Sequence, residues 1–329
     1  MSHELLENAM DAGGARAERD RVLHARDVVV RYRTKRKHEV LAVDRVELEL
    51  FRGETLGLVG ESGSGKSSLG RSIAQLPSPT SGRVDFDGQD LTALRIKDLR
   101  PVRRNVQMIF QDPISSLNPR RTALDIVADP LRLMGHPDPK ARALEVLAEV
   151  GVNEQMAARK PHELSGGQCQ RISIARAFVQ EPAVLICDEP VSALDVSVQA
   201  QVLNLLEQMK RDYGLSMIFI SHDLAVVSNI SDRVAVLYQG RMCEVAPSEG
   251  LYAQPRHHYT KLLLDSVPNP DVDPEVPGER VAQPKSLVSP SGCRFATRCP
   301  AATQECRDVV PELVELAPGH QVACHHPLP

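Results

Sequence analysis

The stretch LGLVGESGSGKSS, Leu56–Ser68, decides the fold. It opens with a continuous apolar run closing on Gly60, the pattern of a strand buried on both faces of a parallel sheet. From Gly60 the residues match G-x-x-x-x-G-K-[ST] and lead into a helical segment, and a strand before and a helix after are what give that pattern meaning. Gly60, Gly63 and Gly65 let the backbone curl so that successive N–H groups point inward at phosphate oxygens, with Glu61, Ser62 and Ser64 completing the loop. Lys66 is then expected to bridge the β- and γ-phosphates of ATP, and the Ser67 hydroxyl to ligate Mg²⁺. Ser68 follows in the first turn of the next helix, whose positive end adds to the field.

Two further apolar runs have the same character, PAVLICDEP (182–190) and LSMIFISHD (215–223). Between them Val198, Val202, Leu205, Leu206 and Met209 fall on one helical face, with Asp195 able to cap the start and Gly214 to end it. Strand, helix and strand in this order predict a βαβ unit and a parallel sheet. Asp188, where the first run stops, has the position of a magnesium carboxylate, and Glu189 could orient an attacking water and take up its proton. A bland alternative, two acids at a solvated strand end, sits poorly with so abrupt an end to the apolar run. In LSGGQCQR (164–171), Ser165, Gly166 and Gly167 at a helix start offer a hydroxyl and bare amides, a second anion site by the same physics. One domain needs one cradle, so the second points to a phosphate brought by another molecule.

Outward from these motifs, DVVV (27–30) and the alternating VELEL (46–50) read as strands. Residues 113–164 carry helical periods without a strand signal and read as a helical insertion. Residues 1–22 look like a disordered leader. LYAQPRHHYTKLLLDSV reads as a helix, followed by a Pro-rich linker and a cysteine-bearing tail. The 329 residues carry a net charge of −4, which argues against nucleic acid as the main ligand. The basic cluster Arg31, Arg33, Lys35, Arg36 and Lys37 reads as a solvated turn. No apolar run approaches the ~18–20 residues that span a bilayer, and the polar N-terminus lacks a signal-peptide core. A cytoplasmic protein is expected, brought to a membrane only by a partner.

In order, GESGSGKSS, Gln111 in IFQDP, LSGGQCQR, LICDEP, SALD (192–195) and His222 in ISHD resemble the nucleotide-binding subunits of ATP-binding-cassette (ABC) transporters. The resemblance implies an α/β P-loop NTPase with a RecA-like core, an antiparallel β subdomain and a helical subdomain, over residues 23–245. QMIFQDPISSLNPR, CDEPVSALDVSVQAQVLNLL and the tail PSGCRFATRCPAA…C…GHQVACHH are similar to the ATPases of bacterial oligopeptide and dipeptide importers, closest to the second of their two ATPase subunits. Residues 246–329 would then be the extension of that family, with a small Cys-rich module at 291–329. Some nickel and glutathione importers share this ATPase family. In such subunits ATP is sandwiched head to tail between two cassettes. That implies a second ATPase subunit, two transmembrane permease subunits and an extracytoplasmic substrate-binding protein, with this chain on the cytoplasmic face of the membrane. Carried over by position, Ser165, Gly166, Gly167 and Gln168 would reach the partner's ATP and Asp195 would link the two sites. Gln111 would contact Mg²⁺ and the attacking water, and His222 would hydrogen-bond the γ-phosphate. Tyr32 would stack on adenine, or is simply a surface residue.

Cys293, Cys299, Cys306 and Cys324 crowd the tail without a CxxC pair. A metal site, disulfides and incidental thiols all remain open from the spacing. Some members of the family carry a four-cysteine [4Fe-4S] cluster here, and zinc is the alternative, with His320, His325 and His326 as further ligands. Soluble ABC ATPases acting on DNA or ribosomes fit less well, since Ser165 lies only 98 positions beyond Ser67, leaving no room for a long coiled coil.

Overall fold

The computed structural model describes residues 20–33, 39–266 and 291–329, which fall into two compact units. The first comprises residues up to Ala25, Leu48–Glu54 and Arg83–Ile218; the second comprises Arg26–Glu47, Thr55–Gly82 and Phe219–Pro329. In chain order the elements begin with β1 (Arg21–Arg33), β2 (Glu39–Phe51), β3 (Thr55–Val59) and α1 (Lys66–Ile73). Then come β4 (Ser81–Phe86), β5 (Gln89–Asp90), α2 (Ile96–Arg103) and β6 (Val106–Ile109). Helices α3 (Pro113–Ser116), α4 (Ala123–Leu133), α5 (Pro139–Glu149), α6 (Glu154–Ala157) and α7 (Gly166–Phe178) precede β7 (Val184–Asp188). The run α8 (Val196–Tyr213), β8 (Ser216–Ile220), α9 (Leu224–Ile230), β9 (Arg233–Tyr238) and β10 (Arg241–Pro247) leads into the extension. There α10 (Ser248–Ala253), α11 (His258–Asp265), α12 (Gln304–Asp308), β11 (Val314–Ala317) and β12 (His320–Val322) complete the chain.

In the first unit β6 and β7 pair in parallel, Ile109 opposite Cys187. β7 is buried at every residue, as its unbroken apolar run requires. β6, Val-Gln-Met-Ile, is a strand that periodicity does not reveal, because four residues with a polar second position carry almost no pattern. Residues 113–164 are helical throughout their regular parts, as expected, and α4 packs on α5 and α7. Their starts are capped locally: the Thr122 side chain accepts from Asp125 N–H, Asp138 from Ala141 and Asn153 from Met156. Helix α8 buries Val202, Leu205, Leu206 and Met209 of the predicted face, while Val198 in its first turn is only half-buried. Asp195 stands at its N-cap position, but its side chain makes no capping hydrogen bond, contrary to the capping role expected. Gly214 ends the helix in the left-handed conformation, φ 64°.

In the second unit the strands run β11-β12-β10-β9-β3. β3 lies parallel to β9, and every other pair in that run is antiparallel. The cysteine-bearing tail is therefore not a free-standing module. Its β12 extends the sheet, Val322 opposite Glu244, and Phe295 packs against Tyr238 and Tyr259, each with ring centroids 5.4 Å away. The expected single helix after residue 250 is two, α10 and α11, because Pro255 cannot continue the first. β1 begins at Arg21, inside the segment expected to be a leader; residues 1–19, the Pro-rich linker and Lys35, Arg36 and Lys37 lie outside the described residues.

One buried carboxylate ties the extension to the sheet. Glu244 on β10 has no solvent exposure, accepts from Arg256 N–H (2.7 Å) and His257 N–H (2.9 Å), and meets His320 Nε2 at 2.7 Å. Removing it strands two amides and a ring nitrogen in an apolar setting. Glu244→Ala is expected to lower unfolding free energy by about 3 kcal/mol, measured by urea denaturation, with the loss confined to stability.

Candidate nucleotide site

The second unit builds a cradle between β3 and α1. Gly60 has φ 150°, and a Cβ there would come within 2.1 Å of Leu237 O; at Gly65, φ 105°, it would come within 2.2 Å of Ala42 O. Neither position admits a side chain, so both glycines are dictated by close backbone approach as well as by the turn. The loop is then fastened by Gly240 N–H donating to Ser64 O (2.7 Å) and Ser64 N–H donating to Glu61 O (3.1 Å). Lys66 is only 4% exposed, and its Nζ donates to Gly60 O at 2.6 Å and Glu61 O at 3.0 Å. A buried ammonium ringed by main-chain groups at a helix start is a strong anion attractor. Ser62 and Gly63 are exposed, whereas Ser67 and Ser68 are half-buried in the first turn of α1.

Glu61 is anchored from outside the loop. Its N–H donates to the Tyr259 hydroxyl at 2.8 Å, and its carboxylate takes both Nη atoms of Arg298. Tyr259 and Arg298 come from the extension, 198 and 237 residues further along the chain, and no local pattern signals them. Burial pushes the Tyr259 hydroxyl far above the usual phenol range, so it stays protonated. His222 lies exposed at the end of β8, and the following Asp223 caps α9 by accepting from Ala225 and Val226 N–H. Tyr32, on β1, is 38% exposed. Beside it, Arg31 and Arg33 both pair with Glu39.

The first unit holds the acidic half of the predicted set. Asp188 has no solvent exposure at the end of β7. Glu189 follows with φ 48°, a left-handed conformation that residues with a side chain seldom adopt and that tends to mark functional turns. Gln111 Nε2 donates to Glu189 Oε2 at 2.9 Å, so these two predicted residues meet. Next door, burial first and the neighbouring Asp188 second push the Cys187 thiol far up, leaving it an inert core residue.

Ser165 and Gln168 use each other. Gln168 N–H donates to Ser165 Oγ (3.3 Å) and Ser165 N–H to Gln168 Oε1 (2.9 Å), a capping box that starts α7. A Cβ on exposed Gly166 would meet nothing within 4 Å, so packing inside this unit does not require glycine there.

The four tail cysteines line one small pocket together with His257, His258, His325 and His326. Burial, reinforced by the other three thiols, pushes Cys324 up to about 11. Among the described residues no three His, Cys, Asp or Glu side chains are grouped closely enough to hold a metal ion. Nor is any described helix long and apolar enough to cross a membrane.

A family model described as ABC transporter matches residues 43–192, and a second, described as the oligopeptide/dipeptide transporter C-terminal region, matches residues 243–306. The oligopeptide transport ATP-binding protein AppF of Bacillus subtilis (strain 168) is 49% identical over 295 residues, covering 87% of this chain and 90% of its own length. OppF of Salmonella typhimurium is 50% identical over 295 residues, with 86% and 87% covered. Among solved structures, the dimeric post-hydrolysis state of the ATP-binding cassette MJ0796 bound to ADP and Pi has a TM-score of 0.63 at 30% identity, covering 69% of this chain and 98% of that one. The chain belongs to the ATP-binding, ATP-hydrolysing subunits of ABC transporters, in their oligopeptide/dipeptide branch.

Proposed function

We propose that this chain powers the import of di- and oligopeptides from the cytoplasmic face of a membrane. One observation carries the choice of substrate class: likeness to peptide-transport ATPases continues beyond the cassette, through residues 243–306 of the extension. Its partners are then a second, head-to-tail ATPase subunit, two permease subunits and an extracytoplasmic binding protein. Co-purification with the permeases followed by uptake assays tests this: di- and oligopeptide uptake is the expected result, and uptake of nickel or glutathione alone would move the chain to a related importer.

In this reading Gly60–Ser68 holds the phosphates of ATP, with Tyr32 on the adenine. Ser67, Asp188 and Gln111 would hold Mg²⁺, which would supply charge neutralisation at the phosphates. Glu189 orients the attacking water and accepts its proton, and His222 hydrogen-bonds the γ-phosphate. The strained backbone at Glu189 and its 2.9 Å contact with Gln111 support a coupled role for that pair. Ser165–Gln168 face the ATP of the other subunit, a reading supported by the unneeded glycine at 166, and Asp195 links the two sites.

Glu189→Gln is expected to bind ATP and hold a closed dimer while hydrolysis falls by about 10²–10⁴-fold, measured as phosphate release. Gln111→Ala should keep ATP binding and lose transport, because Gln111 stands where the helical segment 113–164 leaves the core; unchanged transport would remove the coupling role. We further propose that Cys293, Cys299, Cys306 and Cys324 hold an iron–sulfur cluster, with zinc as the alternative. All four thiols line one pocket, which supports it, although no three of the described ligand side chains stand close enough together to hold a metal ion as they are placed. Protein purified without oxygen should contain iron and acid-labile sulfide, and a colourless, iron-free preparation would exclude the cluster.

A further inference from the structure

Between Cys293 and Cys299 stand two arginines that the ATP-site reading leaves unused. Arg298 donates Nη1 to Glu61 Oε2 at 3.0 Å and Nη2 to Glu61 Oε1 at 2.9 Å, a bidentate pair. Its side chain is 14% exposed, and its guanidinium lies 5.8 Å from the Tyr238 ring centroid and 5.7 Å from that of Phe295. Arg294 donates to Gln239 O and to Asp44 Oδ2, each at 2.5 Å. The next residue, Gly240, gives its N–H to Ser64 O. The cysteine loop therefore grips the phosphate loop twice, directly at Glu61 and through residues 239–240 at Ser64.

Glu61 is an awkward residue for a phosphate cradle. A carboxylate at the second position of the loop repels a polyanion, and its carbonyl is one of the two on which Lys66 rests. Arg298 answers both problems, cancelling the charge and fixing the main chain. We infer that Arg298 is a positioning residue for nucleotide binding: it holds Glu61 so that Lys66 is correctly aimed, and it removes a negative charge from beside the polyphosphate. Nucleotide affinity thus depends on a loop of the C-terminal extension, whatever its thiols hold. The inference rests on the reading of Gly60–Ser67 as the ATP cradle.

The test is the Kd of the full-length chain for a fluorescent ATP analogue with Mg²⁺, measured alongside thermal unfolding. Arg298→Ala is expected to weaken binding about tenfold, and Arg298→Lys, which keeps the charge but not the fork, to recover part of the loss. Adding Glu61→Gln to Arg298→Ala should bring the Kd back to within about threefold of wild type, since the uncancelled carboxylate is gone. A purely structural arginine would show no such rescue. Wild-type affinity in Arg298→Ala, or a double variant weaker than the single one, would overturn the inference. Should Arg298→Ala fail to fold, Arg298→Lys decides, with weakened binding supporting and wild-type affinity refuting it. Lys66→Ala keeps the two readings apart: if it binds ATP as wild type does, the cradle assignment itself fails.

Discussion

A lysine ammonium held almost out of solvent by the carbonyls of its own loop is the constraint on which the rest depends. Burying a charge is costly unless hydrogen bonds replace its water, so the loop must present Gly60 O and Glu61 O at short, fixed distances. That demand propagates outward. Gly60 and Gly65 cannot be larger because main-chain carbonyls of neighbouring segments stand where a Cβ would be. β3 must be fully buried to fix the loop's entry, and Leu69 and Ile73 anchor the helix that receives it.

The same demand explains why the extension belongs to the second unit. Tyr259 and Arg298 hold Glu61 from one side, and Gly240 holds Ser64 from the other. Glu244, fully buried, locks the extension's backbone and His320 to the sheet that supports the loop. Asp44 repeats the theme. Burial alone would raise its carboxyl, yet hydrogen bonds and charge from Arg241 and Arg294 hold it below the usual carboxylate range. It therefore stays ionised, as a buried partner of two guanidinium groups must.

Much of this is legible in the sequence because it is local. LGLVGESGSGKSS spells strand, loop and helix within thirteen residues, and PAVLICDEP announces its buried strand and its acids without help. Helix α8 shows its face through five spaced apolar residues. What stayed hidden was non-local or too short. β6 is four residues long. Arg298 meets a residue 237 positions away, and its own neighbourhood draws attention to cysteines instead. Asp195 shows the opposite failure: the residue type promised a cap, and the side chain makes none. Periodicity finds faces, whereas long-range polar contacts leave no periodic trace.

Sharing of the ATP site between two chains is the central claim, and a mixing experiment tests it most directly. Lys66→Ala should disable the cradle but keep Ser165–Gln168, while Ser165→Arg should do the reverse. Each variant alone is expected to be inactive, and a mixture of the two should regain ATP hydrolysis, because one composite site in each mixed pair is intact. Where this chain pairs with itself, a mixture no more active than its separate components would contradict the account.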